Sequence, residues 1–523
     1  MTFVITSSCC SDAGCVAVCP VNCIHPTPDE PGFGTSDILH IDPEACIDCG
    51  ACADACPVNA IFPVDRLAHR DRVFIDINAS YYRDNPQPSG WSEVVYPVIP
   101  KLPADLRVAI VGTGPSGGYA LRTLLNRTEA TVTVFDKLPT PGGLVRAGVA
   151  PDHPSTKDVM KTFDLLYRDP RVTMATNVEI GPEVNAGQIT PAELAEHFDA
   201  VFYAVGASAS RRLGIAGEDL PGSTSATELV AWYNAVPGAQ GPRFVGGGSG
   251  RAVIVGTGNV ALDVARILVS PPEALAATDI ADRALALLRQ QNVHEVIVLG
   301  RRGQADAAYT SAEYRALETI PGVEIVVYDG DDLPDLSGPA SPDRRRIVFA
   351  FHAVPEAARG DDHLRSVRVR AGDQAREIAS DLLVRAIGYR STSIDGLPFD
   401  EADGRFPVRD GRIVGDGGTP LPGAYAVGWA ARGSTGGIGA NKVHAIATVE
   451  AFMNDVVEGL PRTTAAPEAF GELLARRQRR SLGYRGIAAI DRMERERGAQ
   501  QGRPRVKFTE VGDMLAAAGR RRR

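Results

Sequence analysis

All nine cysteines of this 523-residue chain lie within its first 56 positions, and they are spaced as iron–sulfur ligands. The clearer group reads Cys46-x-x-Cys49-x-x-Cys52-x-x-x-Cys56-Pro57. In such a run three thiolates grip one cubane, and the cysteine before the proline reaches across to a neighbouring cluster. A half-motif built on Cys9 and Cys15-x-x-x-Cys19-Pro20 supplies that neighbour. Cross-ligation then assigns Cys19, Cys46, Cys49 and Cys52 to one [4Fe-4S] cluster, and Cys9, Cys15 and Cys56 to another cluster. Disulfide frameworks belong to small secreted chains. Structural zinc closes a four-ligand tetrahedron and has no use for paired Cys-Pro steps.

The half-motif breaks the regular run at one place. Counting back from Cys19 puts ligands at Cys15, position 12 and Cys9, and position 12 is Asp12. A carboxylate is a harder ligand than a thiolate, so an iron held there would be labile. The first site is expected to hold a [3Fe-4S] cluster, or a [4Fe-4S] cluster with Asp12 at one corner. A competing arrangement puts Cys10 in the fourth place. Otherwise Cys10 and Cys23 are left over as packed thiols.

The length implies three or four domains of about 100–200 residues each. A hydrophobic fraction of 44% with 54 glycines fits an α/β chain. No apolar run reaches the roughly 18 residues of a membrane span. The start, Met1 to Ser8, lacks the pattern of an export signal. Clusters and reduced thiols point to the cytoplasm. Residues 1–78 hold eleven acidic side chains and three arginines, a net of −8 within a chain total of −9. An acidic module of this kind can dock on a basic patch, or simply be a solvated surface. The closing run Arg520 to Arg523 reads as a tail, and no other feature points to nucleic acid.

Residues 79–104 carry Pro86, Pro88, Pro97, Pro100 and Pro103 and read as an extended linker. Next comes an apolar strand, Arg107 to Val111, running into Gly112-x-Gly114-x-x-Gly117 and a helical stretch. A second strand, Thr131 to Phe135, ends in Asp136. Strand, glycine loop, helix, strand and terminal acid form a dinucleotide-binding fingerprint: the glycines admit a pyrophosphate to the backbone, and the acid takes a ribose hydroxyl.

The unit recurs as Gly256-x-Gly258-x-x-Ala261, with Asn259 and Val260 opening its helix. The strand that follows, Glu295 to Leu299, ends in Gly300-Arg301-Arg302 rather than in an acid. Paired arginines suit a 2′-phosphate, hence NADP(H). Two units imply two nucleotides, FAD in the first and NADP(H) in the second. The segments Asp199 to Ser208, containing Gly206, and Ser380 to Tyr389 are apolar strands ending in glycine, as where chain passes between two such domains. A strand, Gly428-Trp429 and a glycine-rich turn into a helix follow near the end, where a helix N-terminus would face a reduced flavin ring. No cysteine follows Cys56, which excludes a redox-active cysteine pair beside the flavin.

The expected fold class is α/β: an N-terminal α+β cluster domain (1–78), the linker, then two Rossmann-like domains. The FAD domain is discontinuous (105–210 and 385–523), with the NADP domain (211–384) inserted.

From residue 105 to about 518 the chain resembles ferredoxin–NADP reductases of the adrenodoxin reductase type. The segments carrying this are "VAIVGTGPSGGYA", "LPTPGGLVRAGVAPDHP", "VIVGTGNVALDVARIL", "GRRG" and "GWAARGSTGGIGANK". With its cluster domain the whole chain resembles the fused ferredoxin/ferredoxin–NADP reductases. By that resemblance Gly114, Asp136, Leu144, Val178, Trp429, Gly436, Gly437 and Ile438 line the FAD. Gly256 to Val260, Arg301, Arg302 and Glu313 line the NADP(H), and His153 lies in the active-site segment, with a conformational role beside Asp152 as the alternative. Two positions depart from the family pattern: Gln304 follows Gly303 where proline is common, and Ala316 stands where some relatives have an acid. The implied activity is NADPH-dependent reduction, through FAD and the clusters, of a ferredoxin or another one-electron acceptor such as a P450 system. The alternative is an electron-delivery subunit like the small subunit of glutamate synthase.

Overall fold

The computed structural model describes residues 2–33, 35–86, 101–242, 248–329, 333–372 and 374–519. The cysteine module is built as a repeat. Helices Gly14–Val18 and Ala51–Ala55 each follow a residue in the left-handed region and each end at a cysteine, Cys19 or Cys56, with φ −75° and ψ 115°. The proline after each cysteine forces that extended geometry and stops the helix after little more than a turn. Strand Phe3–Ile5 pairs antiparallel with Ile61–Pro63, and Ile24–His25 pairs with His40–Ile41.

Helix Val73–Asp84 closes over both pairs. Its buried Asn78 accepts from the Ile5 and Ile41 N–H groups and donates to the Ile5 carbonyl, so one side chain satisfies backbone from two strands. The helix runs to Asp84, past the start of the stretch read as linker, because residues before Pro86 can still pair along it. Most of that stretch, 87–100, lies outside the described residues, as does the Arg520–Arg523 run.

Among the described residues, seven strands form one sheet. Its parallel part runs Pro420–Ala426, Ala200–Tyr203, Arg107–Val111, Thr131–Asp136, Val172–Thr176. Six parallel strands form a second sheet in the order Ser223–Ser225, Leu382–Arg385, Arg251–Val255, Glu295–Leu299, Arg345–Phe351, Val323–Asp329. Its central strands are nearly continuous apolar runs because both faces are covered, one by helices such as Asn259–Val269 and the other by an antiparallel sheet of Ala353–Arg359, Ser366–Ala371 and Gln374–Ala379. Strand Pro420–Ala426 comes after the whole second sheet in sequence yet pairs with Ala200–Tyr203. The chain crosses between the sheets through the short antiparallel pair Ala209–Ser210 and Tyr389–Arg390. No helix among the described residues is long and apolar enough to cross a membrane.

Candidate functional site: two nucleotide cradles and a cysteine module

The two glycine loops are superposable in their chemistry. Gly112 has φ +109°, and a Cβ there would lie 2.4 Å from the Ala204 carbonyl oxygen. Gly256 has φ +117°, and its Cβ would lie 2.3 Å from the Ala386 carbonyl oxygen. In each sheet the first glycine lets the loop turn against the neighbouring strand end, so the next helix N-terminus stands free to face phosphate. Those helices are Pro115–Arg127 and Asn259–Val269, capped by Gly114 and Gly258.

The predicted flavin residues gather at the carboxyl ends of the first sheet. Asp136 accepts through one oxygen from the Thr113 N–H (3.1 Å) and the Thr113 hydroxyl, and through the other from the Leu138 N–H (2.9 Å). It therefore braces the glycine loop as well as standing at the strand end. Val178 is buried beside it and donates its N–H to the Asp136 carbonyl. Leu144 sits on helix Gly143–Ala147, whose first residue abuts Gly114. Gly206 has φ +67° and open space around it. Trp429 Nε1 donates to the Thr435 and Gly436 carbonyls, which folds the glycine-rich turn back on the tryptophan. Gly437 then caps the long helix Ile438–Val457. That helix lies beside Pro115–Arg127, with the Ser116 hydroxyl 3.1 Å from Asn441 Oδ1. Two helix N-termini thus converge on one region, which suits an anionic dinucleotide.

In the second sheet Asn259 holds the loop ahead by accepting the Thr310 N–H at 2.8 Å. Arg301 and Arg302 are exposed at the strand end, Arg302 3.4 Å from Asp306. Glu313 turns from the glycine loop toward His153 and Arg266. His153 Nδ1 lies 3.8 Å from Glu313 and 3.9 Å from Asp263. The buried Arg266 guanidinium bonds Asp152 at 2.7 and 3.1 Å, Asp263 at 2.5 Å and Glu313 at 3.3 Å. Burial raises the Glu313 carboxyl above its ordinary value, and the Asp263 charge adds to this. Burial would also raise Asp152, but the Arg266 guanidinium outweighs it and holds that carboxyl low. Arg266 and Asp263 were not singled out in the sequence. Their signal was present in "ALDVAR", where helical spacing puts both on one face.

No disulfide forms among the described residues. Cys19, Cys46, Cys49 and Cys52 line one small pocket, as their spacing requires, together with Cys23, Phe3 and Ile41. Cys23 is more than a packed thiol. Its sulfur is 3.5 Å from that of Cys19, and side-chain hydrogen bonding with Cys23 draws the Cys19 and Cys46 thiols down to about 6. Burial pushes Cys52 up to about 12. Four sulfurs converging in one pocket, with a backbone N–H from residue 23 to Cys19 Sγ at 3.4 Å, are a donor set that fits a cluster.

Cys9 and Cys56 receive N–H bonds from Ser11 (3.4 Å) and Ala60 (3.2 Å), and Cys15 lies buried within the electrostatic reach of both. These three also fit a cluster. Asp12 is close to them: one oxygen accepts the Gly14 N–H at 3.0 Å and the other lies 3.4 Å from Lys442 Nζ. Cys9, Cys10 and Cys56 pack on the core of the first sheet's domain, whereas Cys49 is exposed.

Known proteins resemble both halves. Residues 39–62 match the family model for a 4Fe-4S binding domain, and residues 110–167 match that for an NAD(P)-binding Rossmann-like domain. The chain is 45% identical, over 99% of its length and 95% of the other's, to a probable ferredoxin/ferredoxin–NADP reductase of Mycobacterium tuberculosis. It is 39% identical to the NADPH-ferredoxin reductase FprA of Mycobacterium leprae, over 78% of this chain and 97% of that one. The solved structure of Mycobacterium tuberculosis FprA in complex with NADPH matches with a TM-score of 0.72 at 37% identity, covering 79% of this chain and 99% of that chain. With near-complete coverage, an iron–sulfur module at the front and two glycine-loop sheets behind it, the chain belongs to the ferredoxin/ferredoxin–NADP reductase family.

Proposed function

We propose that the chain is an NADPH-dependent flavoprotein reductase that passes electrons from NADPH, through FAD and its own iron–sulfur module, to a ferredoxin or another one-electron acceptor protein. The observation that carries this reading is the packing of the Cys9–Asp12 loop directly on the helix whose N-terminus closes the first nucleotide cradle.

FAD would be held by Gly112, Gly114, Gly117, Asp136, Leu144, Val178, Gly206, Trp429 and Gly436 to Ile438. NADP(H) would be held by Gly256, Gly258, Asn259, Val260, Arg301 and Arg302, with Glu313 nearby. Cys19, Cys46, Cys49 and Cys52 would bind a four-iron cluster. Cys9, Cys15 and Cys56 offer only three thiolates, which favours a three-iron cluster. When bound, these groups supply hydride acceptance and one-electron transfer, chemistry that no protein side chain provides.

The chain's own residues orient and insulate. The glycine loops admit the pyrophosphates, the arginines select the coenzyme, and the helix N-termini favour negative charge. His153 stands with its Nδ1 3.8 Å from Glu313 and 3.9 Å from Asp263, at the junction of the two nucleotide domains. The crossing pair Ala209–Ser210 and Tyr389–Arg390 supports limits near 210 and 385 for the inserted NADP domain, while the helix Val73–Asp84 carries the module past residue 78 to Asp84.

The test is coenzyme kinetics on the intact protein. A charged hydrogen bond is worth about 1.5–3 kcal/mol, so Arg301→Ala or Arg302→Ala should raise the KM for NADPH roughly ten- to a hundredfold and leave NADH use unchanged. Equal weakening of both coenzymes would overturn the assignment. Iron and acid-labile sulfide analysis with EPR on anaerobically purified protein would count the clusters.

A further inference from the structure

The cysteine module and the long C-terminal helix meet without room for a side chain. The Gly439 N–H, in the first turn of Ile438–Val457, donates to the Cys10 carbonyl at 2.8 Å. A Cβ on Gly439 would lie 1.5 Å from the Ser11 carbonyl oxygen and 2.6 Å from the Asp12 nitrogen. One turn further along, Lys442 Nζ is 3.4 Å from Asp12 Oδ2, and the two side chains are 22% and 8% exposed. The same carboxylate sits at the positive end of a 20-residue helix, where negative charge is favoured. Its other oxygen accepts the Gly14 N–H at the start of the helix that carries Cys15. Two further contacts hold the module: the Ser8 and Ser155 hydroxyls at 3.0 Å, and the Ser311 N–H donating to Asp37 at 2.5 Å.

We infer that Asp12 is a positioning residue that anchors the cysteine module on the flavin-side domain through Lys442 and the Gly439 turn, and is not an iron ligand. Its two oxygens have separate partners, the Gly14 N–H at 3.0 Å and the Lys442 ammonium at 3.4 Å, which together orient the carboxylate between its own loop and the helix. The anchor fixes the backbone between Cys9 and Cys15, so it sets where that pair of thiols stands relative to the first nucleotide cradle. The inference uses the cluster reading only for its iron readout; the exchange readout below does not depend on it.

The experiment compares full-length holoprotein with Asp12→Asn, Lys442→Gln and the double variant. Asparagine keeps the acceptor for Gly14 and removes the charge. Amide hydrogen exchange is followed in residues 9–14 and 437–443, with iron and sulfide per chain and the EPR spectrum measured on the same samples. Each single variant is expected to speed exchange in both segments about tenfold, as local opening free energy falls. The double variant should go little beyond either single one, because both break the same contact. Iron, sulfide and the EPR spectrum should not change. Gly439→Ala, which adds one carbon to the contact, should speed exchange in residues 9–14 as well. Loss of iron or a new EPR signal in Asp12→Asn alone, with Lys442→Gln silent in exchange, would make Asp12 a ligand and overturn the inference. So would unchanged exchange in Lys442→Gln and Gly439→Ala. Wild-type protein that binds no iron would refute the cluster reading and leave the exchange result to decide the anchor.

Discussion

Replacing Arg266 with methionine tests how the two nucleotide domains are tied together. The guanidinium, 5% exposed, joins Asp152 of the first sheet's domain to Asp263 and Glu313 of the second. One positive charge therefore faces three carboxylates. Methionine keeps the volume and leaves all three acids without their cation. Removing one partner of a buried pair costs about 3–5 kcal/mol. Asp152 and Glu313 retain some exposure, 25% and 21%, so water screens part of the loss and the lower end applies.

At roughly 2–4 °C per kcal/mol for a domain of this size, the unfolding midpoint should fall by about 6–12 °C. The loss should depend on pH. Glu313 is already raised by burial and by Asp263, and without Arg266 it should rise further. A carboxyl whose folded value exceeds its unfolded value contributes fully below the unfolded value. It loses that contribution as pH rises through the folded one. The penalty should thus be greater at pH 8 than at pH 4, below the ordinary glutamate value, by about 1.4 kcal/mol for each unit of added shift. Thermal and urea unfolding of Arg266→Met and wild type at both pH values measures it. A penalty under about 1 kcal/mol, or an equal one at both pH values, would show that the cluster is solvated rather than tied.

Three further outcomes are expected. Gly117→Ala puts a Cβ 2.0 Å from the Gly112 carbonyl oxygen, so the purified variant should carry little flavin by absorbance, and full occupancy would rule out the tight loop. Burial holds His40 and His444 at about 4; since the unfolded chain then binds more protons, stability should fall as pH drops from about 6.5 toward 4. His40→Phe, which keeps the stack on Tyr81, should flatten its share of that slope in a pH series of denaturation midpoints. A fragment starting at Lys101 should bind FAD and pass electrons from NADPH to ferricyanide while losing most cytochrome c reduction; an undiminished cytochrome c rate would take the cysteine module off the path.

What could be read in the sequence was chemistry that needs fixed residue types at short range. Four thiols must converge on a small core, so Cys46, Cys49, Cys52 and the Cys-Pro steps announce themselves by spacing, and the pocket they form with Cys19 follows from it. A backbone that passes within contact of a neighbouring strand end needs glycine, so Gly112 and Gly256 mark both loops. Apolar strands covered on both faces show as runs such as "RVAIV" and "RAVIV".

What the tertiary structure decided was partnership between distant residues, because nothing local fixes where a charge finds its counter-charge. Asp12 meets Lys442 across 430 positions, a contact that no local spacing announces. Asp279 takes both Lys157 and Lys507, one from well before it in the chain and one from well after; burial raises its carboxyl, but the two ammonium groups hold it at about 2. Cys23 falls outside every ligand spacing and still stands in the pocket, since the pairing of Ile24 with Ile41 brings it there. Gly439 looks like any glycine at a helix start. Only the approach of the Ser11 carbonyl shows that the space beside it belongs to another domain.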